Sequence, residues 1–160
     1  MRFLAPLAVV AIAAPANAAT PADTAFNTLW QTEWAWRQNE GIAESGPGVV
    51  DDHLPDVSAD AHARRLAYWK NVLARLDAID TKQLSPDTLT DWQVYRAQIA
   101  AQIDEEQFRE WEKPLNGDSA FWSDLHYAAR RDFTGGEADY RRYLSWLRDV
   151  PRYLAQNTDN

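Results

Sequence analysis

Apolar residues recur three or four positions apart along most of this chain, a spacing that predicts amphipathic helices. The longest such pattern covers residues 85–111. Ser85-Pro86-Asp87 supplies an N-cap hydroxyl, a proline at the first helical position and an acid in the first turn. The predicted apolar face consists of Leu89, Trp92, Tyr95, Ile99 and Ile103. Because this helix is long, we expect other helices to cover its apolar face.

Two further helices precede it. The first covers residues 23–39, with Glu33 beside its apolar face and Trp36 turned towards a neighbouring element. Its face consists of Phe26, Leu29, Trp30, Trp34 and Arg37. The second begins after the N-cap Ser58 and ends near Ala78. Its face consists of His62, Leu66, Trp69, Leu73 and Leu76. The short connector at residues 80–83 predicts that the second helix is an antiparallel neighbour of the 85–111 helix.

The C-terminal part predicts two more helices. Proline and glycine in residues 113–118 end the long helix, and a short helix then turns Phe121, Trp122, Leu125 and Ala128 inwards. Thr134 and Glu137 match a capping box that opens the last helix, and Pro151 kinks or restarts it. The predicted apolar face of this helix consists of Tyr140, Tyr143, Leu144 and Leu147. No run alternates as a strand does, so the predicted fold class is all-α, built from antiparallel amphipathic helices.

Composition narrows the class of protein. A chain of 160 residues suits one domain or a piece of a larger one, and 46% hydrophobic residues can supply a core. The net charge of −8 argues against a nucleic-acid partner, which needs clustered lysine and arginine. The chain has no cysteine, which excludes disulfides, thiolate metal ligands and a lipid-modified N-terminal cysteine.

Residues 1–18 match a secretory signal peptide. Arg2 provides the positive start, residues 3–14 form a short apolar stretch, and Ala16-Asn17-Ala18 is a small-x-small cleavage site. The stretch is too short for a typical transmembrane helix. The mature chain is therefore expected to be periplasmic or secreted and not held in a membrane. The other interpretation is a buried N-terminal helix.

The three histidines offer little chemistry. His53 lies among carboxylates in residues 51–56, which is consistent with a metal site or with an ordinary polar turn around Pro55. The spacing matches no known metal motif, so the turn is favoured. His62 begins an apolar face and is interpreted as a packed or capping residue. His126 has no second ligand at a helical metal spacing.

Motifs for common active sites are missing from the sequence. It has no His-Glu-x-x-His, no phosphate-binding glycine loop, and neither Ser45 nor Ser119 lies in a nucleophile elbow. Glu105 and Glu106 are adjacent and point to different sides of a helix, which favours a solvated charged face over a paired-carboxylate site. The aromatic residues suit core packing, with a sugar-binding platform as the alternative. We therefore predict no catalytic, cofactor-binding or metal residue in this chain.

The order of several short segments is more specific than any one of them. Residues 51–58 read DDHLPDVS, residues 63–66 ARRL, residues 76–80 LDAID and residues 84–86 LSP. WEKPLN at 111–116, EADYRRYL at 137–144 and PRYL at 151–154 follow. In this order the chain resembles the N-terminal part of the bacterial family called domain of unknown function 885, over residues 23–157.

The resemblance implies more than the residues show. Members of that family are exported, mostly helical and similar to gluzincin-type zinc metallopeptidases, with metal motifs such as His-Glu-x-x-His far downstream. It implies that residues 19–160 are the N-terminal helical region of a longer domain, an apparent fragment whose zinc and peptide substrate belong to the full-length parent. A fragment of this kind is expected to expose apolar surface and to self-associate. The alternative is a free-standing periplasmic helical module that binds peptides or oligosaccharides.

Overall fold

A computed structural model describes residues 19–43, 51–113, 121–122, 125 and 133–160. Four long helices lie in these ranges: α1 (Pro21–Asn39), α2 (Ala59–Asp77), α3 (Pro86–Gln107) and α4 (Glu137–Asp159). Two short 3₁₀-helices, Thr81–Gln83 and Glu110–Glu112, flank α3. The described residues contain no strand, so the predicted all-α class is confirmed. None of their helices is long and apolar enough to cross a membrane.

The first three helices begin at capped residues. The hydroxyls of Ser58 and Ser85 accept hydrogen bonds from the backbone N–H groups of Ala61 and Thr88, as their sequences predict. Helix α1 begins at Pro21, two residues before the predicted start. Thr20 is its N-cap, and the side chains of Thr20 and Asp23 each accept the other's backbone N–H in a capping box.

Helix α3 ends earlier than residue 111. Gln107 is its last residue, and Arg109 takes up a left-handed conformation with φ of 54°. This turn breaks the helix and leads into Glu110–Glu112. Trp111 consequently stacks on His62, with ring centroids 4.6 Å apart and the rings 8° from parallel. The prediction of a continuous helix to Trp111 was wrong.

Helices α2 and α3 form an antiparallel pair, as predicted from their short connector. Near the end of α2, the Trp92 indole donates to the carbonyl of Leu76 at 3.1 Å. At the other end, His62 near the start of α2 meets Glu106 near the end of α3. Helix α1 packs against this pair. The buried core between the three helices consists of Phe26, Leu29, Trp69, Val72, Leu76, Ile99 and Ile103.

The exact buried faces differ from the predicted ones. On α1, Trp30 and Trp34 are exposed, whereas Trp36 stacks on Tyr68 with centroids 3.7 Å apart. The prediction that Trp36 packs on a neighbouring element is confirmed. The prediction that Trp30 and Trp34 are buried was wrong. On α2, Arg65 is buried although we placed it outside the apolar face. It is buried because its guanidinium donates to the carbonyl of Asp56 at 2.5 Å.

Helix α4 forms a second core with the loop that precedes α2. Leu54, Trp146 and Tyr153 are buried there, and partly buried side chains surround them: Val57, Phe121, Leu125, Tyr143 and Val150. This face of α4 is not the one that we predicted. Of the predicted residues only Tyr143 contacts the core, whereas Tyr140, Leu144 and Leu147 are exposed. The helix runs through Pro151 to Asp159 without ending there.

The start of α4 is also corrected. Gly136 occupies the N-cap position, and no side chain caps the helix there, so the capping box of Thr134 and Glu137 does not form. Asp139 instead accepts the backbone N–H of Gly135 at 2.6 Å. Gly136 has φ of 66° and ψ of −138°, a conformation that only glycine adopts readily. The helix therefore begins at Glu137 directly after the turn at Gly136, and Thr134 does not act as its cap.

Some predictions fall outside the described residues. These are the signal peptide at residues 1–18, Ser45, Ser119, His126, and Ala128 of the predicted short helix.

Candidate functional site

Residues 51–57, which we call the 51–57 loop, lie against α4 and are joined to it by several hydrogen bonds. Asp149 of α4 accepts the backbone N–H of Leu54 at 3.0 Å. The same carboxylate oxygen lies 3.0 Å from Nδ1 of His53. A loop residue and its neighbour are thus held by one acid that lies 95 residues away along the chain.

Side chains at the C-terminal end of α4 and Asn160, which follows it, bind four more backbone groups of the loop. Arg152 donates to the carbonyls of Leu54 at 2.7 Å and Pro55 at 3.1 Å. Gln156 accepts the N–H of Val57, and Asn160 donates to its carbonyl. Backbone groups that are paired in this way fix a loop that lacks regular structure. The segment is an irregular polar loop and has no hydrogen-bonded turn around Pro55.

Asp56 links this loop to the start of α2. Its carboxylate accepts the N–H of Ser58 at 3.0 Å and the side-chain amide of Gln156 at 2.8 Å. Burial alone would raise the pKa of Asp56, but these hydrogen bonds and the charge of Arg64 outweigh it and lower the pKa. The carboxylate is therefore held ionised while it joins the loop, α2 and α4.

His53 lies on the surface and pairs with Asp149, and such a pair can take part in proton transfer. The His53 side chain is 65% exposed, and its Nδ1 contacts Asp149. Burial raises the pKa of Asp149, but hydrogen bonds from His53 and Leu54 and the charge of Arg152 lower it overall. A carboxylate at Nδ1 fixes the orientation of an imidazole, which can then accept or donate a proton at Nε2. Sequence reasoning missed this pair because its members are far apart in the chain.

The described residues do not form a metal centre. No group of three or more histidine, aspartate or glutamate side chains there is arranged to hold a metal ion. His53 has Asp149 at one nitrogen, and a zinc site needs at least three protein ligands. The donor set of the described residues therefore does not suit zinc.

His62 is a packed residue, as predicted. Its Nδ1 lies 3.0 Å from the carboxylate of Glu106, and its ring is covered by Trp111. Glu106 is largely buried by this contact, so the predicted solvated face applies to Glu105 and not to Glu106. The atom Nε2 of His62 and the atom Nε of Arg65 are buried without a hydrogen-bond partner among the described residues.

The core of the three-helix unit contains a buried carboxylate. Glu33 of α1 accepts hydrogen bonds from the indole of Trp69 at 2.9 Å, the hydroxyl of Tyr95 at 2.8 Å and Nε of Arg37 at 2.5 Å. Burial and the negative charge of Glu33 raise the pKa of Tyr95. Three donors satisfy the acid, so its role is to tie α1, α2 and α3 together.

A small polar pocket of about 530 Å³ lies where α1 and α3 begin. Asp23 at its wall accepts the backbone N–H groups of Ser85 and Thr20, each at 2.9 Å. These hydrogen bonds, that of Ser85 first, lower the pKa of Asp23 to about 2. Both oxygens of this carboxylate accept backbone N–H groups at the starts of α1 and α3. We therefore interpret Asp23 as a structural link between the two helices.

The described part of the chain is thus all-helical, with the buried carboxylate of Glu33 in its main core and a histidine–aspartate pair, His53 with Asp149, at the 51–57 loop. A family model described as "Bacterial protein of unknown function (DUF885)" matches residues 36–160. The chain belongs to this family. The match begins inside α1, later than the residue 23 at which the resemblance was placed. No curated protein and no solved structure matches the chain.

Proposed function

We propose that this chain is the N-terminal helical scaffold of an exported, zinc metallopeptidase-like hydrolase and that it contributes no catalytic residue. Its membership of the family over residues 36–160 is the observation that carries the proposal. The family's resemblance to gluzincin-type peptidases supplies the reaction class. In such an enzyme, packed helices like α1–α3 would form one wall of the cleft that holds a peptide substrate.

The proposal assigns the zinc ligands to residues beyond those described. His53 has an exposed side chain, but the described residues around it do not complete a zinc site. The role of the described helices is then to hold the walls of the site in place. Buried polar junctions such as Glu33 with Trp69 suit that role, since they fix how the helices pack.

The direct test compares this chain with a longer protein that is expressed from DNA extending past codon 160. We expect a His-Glu-x-x-His-type motif in that reading frame, with stoichiometric zinc and hydrolysis of fluorogenic peptides in the longer product. The 160-residue chain should show neither. Zinc binding and peptide cleavage by the 160-residue chain alone would contradict the proposal. Loss of both properties in His53→Ala would then assign them to this chain's own residues.

Export has its own test. Signal cleavage after Ala18 would leave Ala19 as the first residue, immediately before the N-cap Thr20 of α1. The helix cap therefore lies intact in the mature chain, which supports the proposed cleavage site. Mass spectrometry of the periplasmic fraction should find a chain that begins at Ala19, and Ala18→Arg should block processing. A full-length chain in the cytoplasm would contradict export.

A second candidate is a helical binding module for oligosaccharides or peptides. Trp30 and Trp34 lie one turn apart on α1 and are 37% and 42% exposed, and the Trp30 indole donates to Asn27 at 3.2 Å. Adjacent exposed indoles offer a stacking surface for apolar ligand faces. Calorimetry with oligosaccharides and peptides tests this function. The double variant Trp30→Ala/Trp34→Ala should lose any binding, and Phe108→Ala, which changes another exposed aromatic residue, should keep it.

A further inference from the structure

The proposed signal cleavage would place a new amine at the polar pocket where α1 and α3 begin. Cleavage hydrolyses the peptide bond between Ala18 and Ala19, so that Ala18 leaves with a carboxylate and Ala19 keeps a free α-amine. Such an amine has an ordinary pKa of about 8 and is positively charged at neutral pH. Ala19 lines the pocket of about 530 Å³, which we call the N-terminal pocket. The first residue of the mature chain would therefore lie at its wall.

The charged side chains of the N-terminal pocket are acidic. Asp23 of α1 and Asp87 of α3 line it, and no lysine, arginine or histidine is among the described residues that do so. Asp23 is only 3% exposed. Hydrogen bonds from uncharged groups, that of Ser85 first, lower its pKa to about 2. Asp23 is therefore ionised at every pH at which the amine of Ala19 carries its proton, and no basic side chain of the pocket balances its charge.

The amine of Ala19 lies close to this carboxylate. The N–H of Thr20 donates to Asp23 at 2.9 Å. Backbone nitrogens of adjacent residues are at most about 3.7 Å apart, so the nitrogen of Ala19 is within about 7 Å of the same carboxylate oxygen. Charges at this distance still interact at physiological ionic strength, where the screening length is about 8 Å. The geometry thus allows an ion pair between the chain terminus and Asp23.

The helix starts themselves oppose a cation. Each start contributes roughly half a positive elementary charge, whereas Asp23 and Asp87 each carry a full negative charge. The sum of these charges is negative. Asp23 also accepts an N–H group at each of the two starts, from Thr20 and from Ser85. The balance of charge in the pocket therefore favours an ammonium group.

We propose that the N-terminal pocket binds the α-ammonium group of Ala19, chiefly through the carboxylate of Asp23, and that signal cleavage thereby stabilises the fold. The inference rests on the export part of the proposed function, which supplies the cleavage after Ala18. In the uncleaved chain the nitrogen of Ala19 belongs to a peptide bond and carries no charge. The fold would gain this ion pair only after processing. Asp87 is exposed, so water screens its charge and its contribution is smaller.

The test compares two mature chains that begin at Ala19, one with a free amine and one with an Nα-acetyl group. Removal of a fusion partner directly before Ala19 gives the free amine, and acetylation restores an uncharged nitrogen like that of the uncleaved chain. We expect the free-amine chain to unfold at least about 2 °C higher at about pH 6 and low salt. The helix dipole alone predicts the reverse, because acetylation removes a positive charge from a helix start.

Changes of pH and salt separate charge from the bulk of the acetyl group. The difference in unfolding temperature should vanish by about pH 10, because the amine is neutral there. It should also shrink in about 1 M NaCl, where the screening length is about 3 Å. A steric effect of the acetyl group would persist under both conditions.

Variants locate the partner of the amine. Asp23→Asn should remove the difference between the free and acetylated chains, because it removes the negative charge and keeps the side-chain shape. Each variant is compared with its own acetylated form, so a general loss of stability cancels. Asp91→Asn is the matched control, since Asp91 is an exposed acid of α3 outside the pocket, and should keep the difference. A chain that retains residues 16–18 displaces the amine and should be as stable as the acetylated chain.

Three results would overturn the proposal. They are equal stability of the two mature chains, greater stability of the acetylated chain, and a difference that survives Asp23→Asn or about pH 10. These measurements do not depend on where a cell processes the chain. A chain that is never cleaved after Ala18 would instead contradict the export proposal, which mass spectrometry decides separately.

Discussion

The indole N–H of Trp69 on α2 donates a 2.9 Å hydrogen bond to the carboxylate of Glu33 on α1, inside the main core. The other carboxylate oxygen of Glu33 accepts the hydroxyl of Tyr95 on α3. One buried acid therefore contacts all three helices of the unit. An ion that is buried with its donors makes the relative positions of these helices specific, because any shift would leave the charge without partners.

Glu33→Ala should destabilise the fold by about 3 kcal/mol, because Trp69, Tyr95 and Arg37 would lose their common acceptor within the core. Chemical denaturation followed by tryptophan fluorescence measures the change. Glu105→Ala is the matched control, since it removes an exposed glutamate from α3 and should change stability by less than about 0.5 kcal/mol. Equal effects of the two substitutions would show that Glu33 does not tie the helices together.

Acid sensitivity should depend on Asp23. Its pKa is lowered to about 2 by the N–H groups of Ser85 and Thr20, so its contribution to stability is present above the ordinary aspartate range. That contribution is lost as the pH falls from about 4 to about 2. Asp23→Asn should therefore lower the unfolding temperature at pH 7 and flatten its decrease between pH 4 and pH 2. Asp87→Asn, which changes an exposed acid in the first turn of α3, should leave the pH profile unchanged.

The Leu54 amide should report directly on Asp149. Asp149→Ala removes the acceptor of that amide and should speed its hydrogen exchange about tenfold, which corresponds to the loss of roughly one hydrogen bond. NMR measures this exchange residue by residue. Asp159→Ala changes another acid of α4 and should leave the Leu54 amide protected. Unchanged exchange in Asp149→Ala would mean that the loop is held without Asp149, by contacts such as those of Arg152, Gln156 and Asn160.

Strain should appear at the start of α4. Gly136→Ala places a side chain at φ of 66° and ψ of −138°, which costs about 1–3 kcal/mol. No atom lies within 4 Å of the added Cβ, so the loss would come from the backbone conformation alone. A D-alanine introduced by semisynthesis favours positive φ and should restore stability, as thermal unfolding would show. A stable Gly136→Ala would contradict this geometry.

The sequence predicted the elements whose signals are local. Ser58 and Ser85 cap α2 and α3 because a cap needs only the next three residues, and the short connector gave the antiparallel pairing. The start of α1 was also encoded locally, since Thr20 and Asp23 form a capping box, but we placed the start at Asp23. The end of α3 at Gln107 and the left-handed turn at Arg109, which brings Trp111 onto His62, have no local pattern in the sequence that predicts them.

Burial of polar residues could not be predicted in this way. Arg65 is buried because its partner is a backbone carbonyl in the preceding loop, and Glu33 is buried because its donors lie on two other helices. For α4, apolar residues cover roughly half of the helix surface, so periodicity alone does not choose which side faces the core. Leu144 and Leu147 were assigned to the core on that basis, whereas Trp146 and Tyr153 occupy it.

The hydrogen bonds between the 51–57 loop and α4 join residues that are 95 to 103 positions apart, whereas Trp92 reaches Leu76 across only 16. Loop closure over a longer segment loses more chain entropy and slows the formation of the contact. The hairpin of α2 and α3 can therefore form early in folding, and the loop would gain its partners last. A chain interrupted before Asp149 would keep the three-helix core but leave the amide of Leu54 and the carbonyls of Leu54 and Pro55 without their protein partners. Hydrogen bonding of the loop backbone therefore indicates whether α4 has packed against the loop.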